Sequence, residues 1–215
     1  MNYNSVGMNR ILLVILAAIA GLVLIVGLGG CNSYNGLVGG RQEVDKQWAQ
    51  VETVYQRRAD LIPNLVSTVT GSANFERSVL REVTEARASV GQVKFATGSG
   101  PETAEQLAQF QKAQGALGSA LSRLLVVAER YPDLKASGGF RDLQVQLEGT
   151  ENRITVERQR FNEAVRTYNT QAQRFPTVIV ARMFNFQPKP YFTAEPQAEK
   201  APKVDFNFGT PAPAK

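Results

Sequence analysis

The sequence predicts an all-α fold: an antiparallel bundle of three to four long helices behind an N-terminal membrane anchor or lipoprotein signal. Three observations carry this. Apolar residues recur at spacings of three, four and seven across the middle of the chain, as on the buried faces of amphipathic helices. Residues 11–30 form an uncharged, apolar run. Gly- and Pro-containing breaks then divide the middle into segments that exceed the length of ordinary strands.

The apolar run comes first. At about 1.5 Å per residue, twenty helical residues span about 30 Å, the hydrocarbon thickness of a bilayer. The run is longer than the 7–15 or so apolar residues usual in a cleavable secretory signal, which favours a permanent span. Its end favours the other reading. Leu28-Gly29-Gly30-Cys31 has the order of a bacterial lipobox: a branched apolar residue, two small residues that let a peptidase grip extended backbone, then a thiol to accept diacylglycerol. Asn32 follows that cysteine and suits transfer to an outer membrane. Cys31 is thus the expected lipidation site, and both readings tether the chain. Flanking charges do not decide orientation, because Arg10 precedes the run while Arg41 and Lys46 follow it. Residues 1–31 are expected as signal or anchor and 32–40 as a linker.

The bundle is expected over 41–176. Its first stripe is Val44, Trp48, Val51, Tyr55, Ile62, Leu65 and Val69, continued by Val79, Val83, Ala86 and Val90. Pro63 lies inside this stripe; it lacks an N–H and crowds the preceding turn, so it is expected to bend the helix or split it in two. Ala96-Thr-Gly-Ser-Gly-Pro101 is a break, after which Leu107, Phe110, Leu117, Leu121, Leu124 and Ala128 mark a second helix. Tyr131-Pro132-Asp133 and Ser137-Gly138-Gly139 end it. A third stripe runs through Phe140, Leu143, Leu147, Ile154, Phe161, Val165 and Tyr168, closed by Phe175-Pro176. Six prolines follow Phe184, so residues 177–215 are expected as an extended Pro-rich tail, disordered at its end. Its aromatics, Phe186, Tyr191, Phe192, Phe206 and Phe208, suit either packing on the bundle or attachment to a partner.

Composition narrows the chemistry. The 215 residues contain no histidine and one cysteine, so no Ser-His-Asp or Cys-His relay, no disulfide and no Cys-rich zinc site can be assembled. Glu82, Glu85, Glu151 and Glu157 lack the Glu-x-x-His pairs of a di-iron bundle. No catalytic residue, metal ligand or cofactor is therefore expected. The net charge of +5 is spread between alternating acids and bases, which is the pattern of solvated helix faces and not of a nucleic-acid stripe.

Ordered motifs add a resemblance. Tyr34-Asn35-Gly-Leu37, Arg57-Arg58-Ala-Asp60-Leu-Ile-Pro63-Asn64-Leu-Val, Thr84-Glu85-Ala-Arg87, Tyr131-Pro132-Asp133-Leu134-Lys135 and Thr150-Glu151-Asn152-Arg153-Ile154 come first. Phe161-Asn162, Tyr168-Asn169, Pro188-Lys-Pro190-Tyr191-Phe192 and Ala201-Pro202-Lys203-Val204-Asp205-Phe206 follow. The set resembles the LemA family. The resemblance implies a single N-terminal anchor followed by a helical bundle, and it implies no established reaction.

Arg57, Arg58, Asp60, Pro63 and Asn64 form the candidate interaction surface. The carbonyl that Pro63 frees is available to a partner's donor; the structural alternative is a simple kink with Arg57 and Asp60 paired on the surface. Asn64, Asn152, Asn162 and Asn169 either form a polar network that sets helix register or lie exposed. The Glu85/Arg87 and Glu151/Arg153 segments are expected to pair across helices. The function expected is that of a non-catalytic, membrane-tethered scaffold of a bacterial envelope, periplasm-facing if lipidated, with an envelope protein as partner. The alternatives are an accessory subunit or carboxylate-based enzyme acting on envelope lipid, glycan or peptide, and a membrane-shaping bundle.

Overall fold

The computed structural model describes residues 3–71, 75–95 and 98–193; within residues 3–26 it describes the side chains of 13, 16, 17, 20 and 21 alone. Every regular element among the described residues is helical: α1 Tyr3–Thr70, α2 Arg77–Gln92, α3 Ala104–Ala128, α4 Pro132–Ala136, α5 Gly138–Gln173 and α6 Thr177–Met183. The long helices α1, α2, α3 and α5 make the bundle.

Local chemistry explains the boundaries. Thr103 caps α3 with a complete capping box, its side chain accepting from the Gln106 backbone while Gln106 reaches back. The Ser137 hydroxyl accepts from Phe140 N–H and starts α5, so the Ser-Gly-Gly segment is a helix start and not a loop. Tyr131-Pro132 likewise opens the short α4, with Pro132 at the first helical position, where its missing N–H is harmless.

Three expectations change. Residues 32–40 are no linker but continue α1, with Leu37 completely buried. Pro63 does not split the first helix either: α1 runs through it and ends at Thr70, just before Gly71, a poor helix former. The tail also differs at its start, since Thr177–Met183 is helical before the prolines enforce extension.

α1 runs antiparallel to α5, and α2 to α3. Gly36 and Gly40 of α1 meet Gln171 and Tyr168 of α5, while Arg58 meets Glu151. A Cβ on Gly40 would lie 3.3 Å from the Tyr168 ring, so the absent side chain is what lets the two helices approach there. Glu82 pairs with Arg123 and Glu76 with Arg130, tying α2 to α3.

The core is in two parts. One contains Leu37, Val44, Trp48, Val51, Tyr55, Leu107, Phe110, Ile154, Phe161, Val165 and Tyr168. The other contains Ile62, Leu65, Val69, Phe75, Val79, Val83, Leu117, Leu124, Phe140 and Leu147. Between them lies one polar layer: Arg58 between Tyr55 and Ile62, Gln114 between Phe110 and Leu117, Thr150 between Leu147 and Ile154. Each of three helices thus contributes one buried polar residue where the heptad calls for an apolar one.

Candidate functional site

Three polar features are built onto this frame: the waist between the two core clusters, a groove between α1 and α2, and a tail clamp on α5. At the waist, the Arg58 guanidinium donates to Glu151 Oε2 at 3.0 Å, to the Gln114 side-chain oxygen and to the Gln114 carbonyl at 3.3 Å. It also lies over the Tyr55 ring, 5.1 Å from the centroid. Arg58 is 4% exposed, and its Nε has no partner among the described residues. Burial raises the Tyr55 phenol above its ordinary value, opposed by the positive charges of Arg158 and Arg58. Beside the layer opens a cleft of about 450 Å³ between α3 and α5. Gly115, Gly118, Ser119 and Ser122 present small side chains to it; Arg58, Arg158, Glu151, Gln111 and Gln114 supply its polar groups.

The groove between α1 and α2 is larger, about 1210 Å³, and is lined by Arg57, Ala59, Asp60, Asn64 and Arg87 among others. Its geometry follows from Pro63. A proline at 63 leaves the carbonyl of residue 59 without its helical donor. Arg87 of α2 fills that vacancy: its Nε donates to Ala59 O at 3.1 Å. The hydrogen bond expected from a partner protein is therefore internal, and it pins α2 to α1.

The five residues of the predicted interaction surface separate accordingly. Arg57, Asp60 and Asn64, spaced three and four apart, share the groove face. Pro63 is exposed and acts through its freed carbonyl. Arg58 points the other way, because its position lies on the buried stripe between Tyr55 and Ile62. Asp60 accepts from Gln56 at 2.7 Å, and no Arg57–Asp60 ion pair forms among the described residues. Cys31 is exposed on α1, just before the first residues that the bundle engages, Tyr34 and Leu37.

The tail clamp was half legible. Asn162 and Asn169, one heptad apart on α5, each bracket the backbone N–H and carbonyl of one residue of the returning tail. Asn169 accepts from Lys189 N–H at 2.8 Å and donates to Lys189 O at 2.9 Å; Asn162 does the same for Phe192 at 2.9 and 3.0 Å. Pro188 and Pro190 bring no N–H of their own, so no backbone donor there goes unsatisfied. The Tyr168 hydroxyl donates to Gln187 O at 3.0 Å. Asn64 and Asn152, by contrast, are exposed. Phe192 completes an aromatic cluster around Trp48 with Phe95, Phe110 and Phe161, its ring stacked on the indole at 6.0 Å.

Lys189 was not foreseen. Its side chain is 2% exposed, with Nζ 2.8 Å from Glu102 and 3.8 Å from Asp45. Glu102 also pairs with Arg41 at 3.0 Å. Burial works to raise the Glu102 carboxyl, but Lys189 and Arg41 outweigh it and hold the group below the ordinary glutamate range. The one signal available in sequence was a lysine framed by two prolines in a segment otherwise aromatic.

These features define a class of protein: a four-helix bundle with a polar waist, closed at one end by its own amide-clamped tail. The LemA family model matches residues 47–206, and the chain belongs to the LemA family. It is similar to the magnetosome protein MamQ of Magnetospirillum gryphiswaldense, 24% identical over 185 residues that cover 77% of this chain and 66% of the relative. Magnetosome protein MamQ 2 of Paramagnetospirillum magneticum is 25% identical over the same coverage. Protein LemA of Metamycoplasma hominis is 23% identical over 171 residues, 80% of this chain and 72% of that one. The chain spans 66% of the length of the magnetosome relatives it matches.

Proposed function

We propose that the chain is a non-catalytic interaction module of a bacterial cell envelope, tethered to the membrane through the first part of α1. The observation that carries this is α1 itself. One uninterrupted helix of 68 residues, about 100 Å at about 1.5 Å per residue, passes from residue 3 into the heart of the bundle. Before Cys31 its described large apolar side chains, Leu13, Leu16 and Leu28, are 55–70% exposed. Apolar side chains along residues 11–30 would find their cover in a bilayer. Most side chains of that run lie outside the described residues; among the described residues no helix is long and apolar enough to cross a membrane.

The same helix supports lipidation at Cys31. Bundle contacts begin at Tyr34 and Leu37, so a mature chain starting at Cys31 retains its whole core and carries the lipid directly beside it. On this reading the bundle faces the periplasm. The α1/α2 groove, with Arg57, Asp60, Asn64 and Arg87 around apolar Leu61, Val90 and Val93, is the surface offered to an envelope protein. Relatives named for a subcellular structure, the magnetosome, support a place in an assembly.

Two measurements test the proposal. Intact mass of the membrane-extracted protein, beside a Cys31→Ala variant, should show a mature chain beginning at a lipid-modified Cys31 that the variant lacks. Full-length unmodified mass in both overturns lipidation and leaves a permanent span. Affinity capture from gently solubilised membranes should recover a stoichiometric protein that Arg57→Glu/Asn64→Arg loses; capture of nothing, or equal capture by the variant, removes the groove as an interface.

A further inference from the structure

Exposed apolar side chains are spread unevenly over the described part of the bundle. On α3 and α5 they are single valines, Val126, Val145 and Val156, of the kind any protein surface carries. Around α6 they are larger and close together in the chain: Phe175, Ile179, Met183 and Phe184 are 53–77% exposed. Ile179 and Met183, four apart, share one face of α6, and Phe175 and Phe184 flank its two ends. Ala181 is buried and Val180 partly so against the bundle, so α6 is docked on one side and apolar on its outer one as well. An apolar patch of this kind marks a contact surface.

Its place in the fold says what it meets. The Phe184 ring packs edge-on against Tyr34 of α1, centroids 4.9 Å apart, and Gln171, just before α6, lies against Gly36. α6 therefore sits beside the stretch of α1 that begins three residues after Cys31. At about 1.5 Å per residue, Tyr34 lies about 6 Å beyond Gly30, where the apolar run ends. The polar interface adds about 5–8 Å on each side of a bilayer's hydrocarbon core, and interfacial helices sink their apolar face by about 5–10 Å. The patch is thus at headgroup level whether α1 itself spans the bilayer or a lipid on Cys31 holds it. This step rests on the tether proposed above.

Charge agrees with that position. Residues 164–193 contain no acid. Arg174 precedes α6 and Arg182 lies in its last turn, and both are exposed. Basic side chains at that level are drawn to anionic headgroups.

We propose that α6 and its flanks form a second membrane contact. Phe175, Ile179, Met183 and Phe184 enter the boundary between headgroups and acyl chains of the bilayer that holds α1, and Arg174 and Arg182 meet anionic lipid phosphates. A single helical tether leaves the bundle free to lean and turn on the surface. The second contact removes that freedom and gives the bundle one attitude toward the membrane.

The test is quenching of tryptophan fluorescence by brominated acyl chains in the full-length protein reconstituted into vesicles of phosphatidylethanolamine and phosphatidylglycerol. Native Trp48 is the background: it is buried in the core, about 21 Å further along α1 than Tyr34. Ile179→Trp and Met183→Trp place an indole on the patch. Val145→Trp is the control, about 39 Å from Gln171 along α5. The signal added by either patch variant should fall at least about twofold in brominated vesicles, as expected of an indole at the acyl boundary, while that of the control should not change. Adding Arg174→Glu/Arg182→Glu, or replacing phosphatidylglycerol with phosphatidylcholine, should weaken the quenching.

Flotation of the same vesicles separates this proposal from the tether. Chains that float with the vesicles but keep unquenched patch indoles leave the tether standing and overturn the second contact, since the patch is then covered by protein or by water. Chains that do not float overturn both. Quenching that ignores the charge reversal and the lipid exchange overturns the role of Arg174 and Arg182.

Discussion

Replacing Arg58 with methionine keeps an unbranched stem over Tyr55 but removes every polar contact that Arg58 makes at the waist. Two partners respond differently. Glu151 has 59% of its side chain exposed, so it returns to water at little cost. Gln114 is 5% exposed, and its side-chain oxygen loses its donor inside the bundle, a loss of about 1–3 kcal/mol. The cation–π contact with Tyr55 adds about 0.5–1 kcal/mol. The single variant should therefore be about 2–3 kcal/mol less stable, and for a domain of this size its Tm should fall by about 4–12 °C. The double variant Arg58→Met/Gln114→Leu removes both polar groups and joins the two apolar clusters, so most of that loss should return. Helical circular dichroism of the detergent-solubilised protein, followed through thermal and urea unfolding, gives the cycle directly. A neutral Arg58→Met, or a double variant whose losses simply add, would refute the view that the waist is held by the arginine–amide pair.

Pro63→Ala supplies a backbone N–H that competes with Arg87 for Ala59 O, so Arg87→Ala should cost about 1–2 kcal/mol with Pro63 present and less with alanine there; a urea-unfolding double cycle without coupling would sever the link. Gly100→Ala places a Cβ 2.8 Å from the Trp48 ring, and the resulting overpacking should lower stability by about 1–3 kcal/mol and alter tryptophan fluorescence. The pH response of the tail follows from Glu102. Its carboxyl is held below its ordinary range in the folded chain, so its contribution is present above that range and is lost as pH falls through the lowered value. The protection of the Lys189 amide, its exchange rate relative to that of an unstructured amide at the same pH, should fall on acidification, and in Glu102→Gln it should be low already and much less sensitive to pH. Asn169→Ala should release the same amide, and that of Phe192 less, because Asn162 still holds the latter.

Much of this is legible in the sequence. The stripes Val44 to Val69, Leu107 to Ala128 and Phe140 to Tyr168 name the observed core almost residue for residue, because a bundle buries one helical face and the 3.6-residue period records which. The Glu151 and Arg87 segments were expected to bridge helices and do, though to Arg58 and to a backbone carbonyl. Sequence spacing placed Arg58 beside Arg57 and Asp60; one residue is a rotation of about 100° on a helix, so it belongs to the opposite face. A clamp between Asn169 and Lys189 joins residues twenty apart through backbone N–H and carbonyl groups, which leave no periodic trace.

The sequence by itself determined the helical class, the buried stripes, the absence of histidine chemistry and the unbroken apolar run that precedes Cys31. Those properties are local: they depend on periodicity, composition and residues adjacent in the chain. Tertiary structure alone decided that Pro63's orphaned carbonyl is satisfied by Arg87, that three polar positions on three helices meet in one layer, and that the tail returns to bury Lys189 and Phe192. Each of these depends on which helix faces which and at what register, and that is set by the packing of all the stripes together.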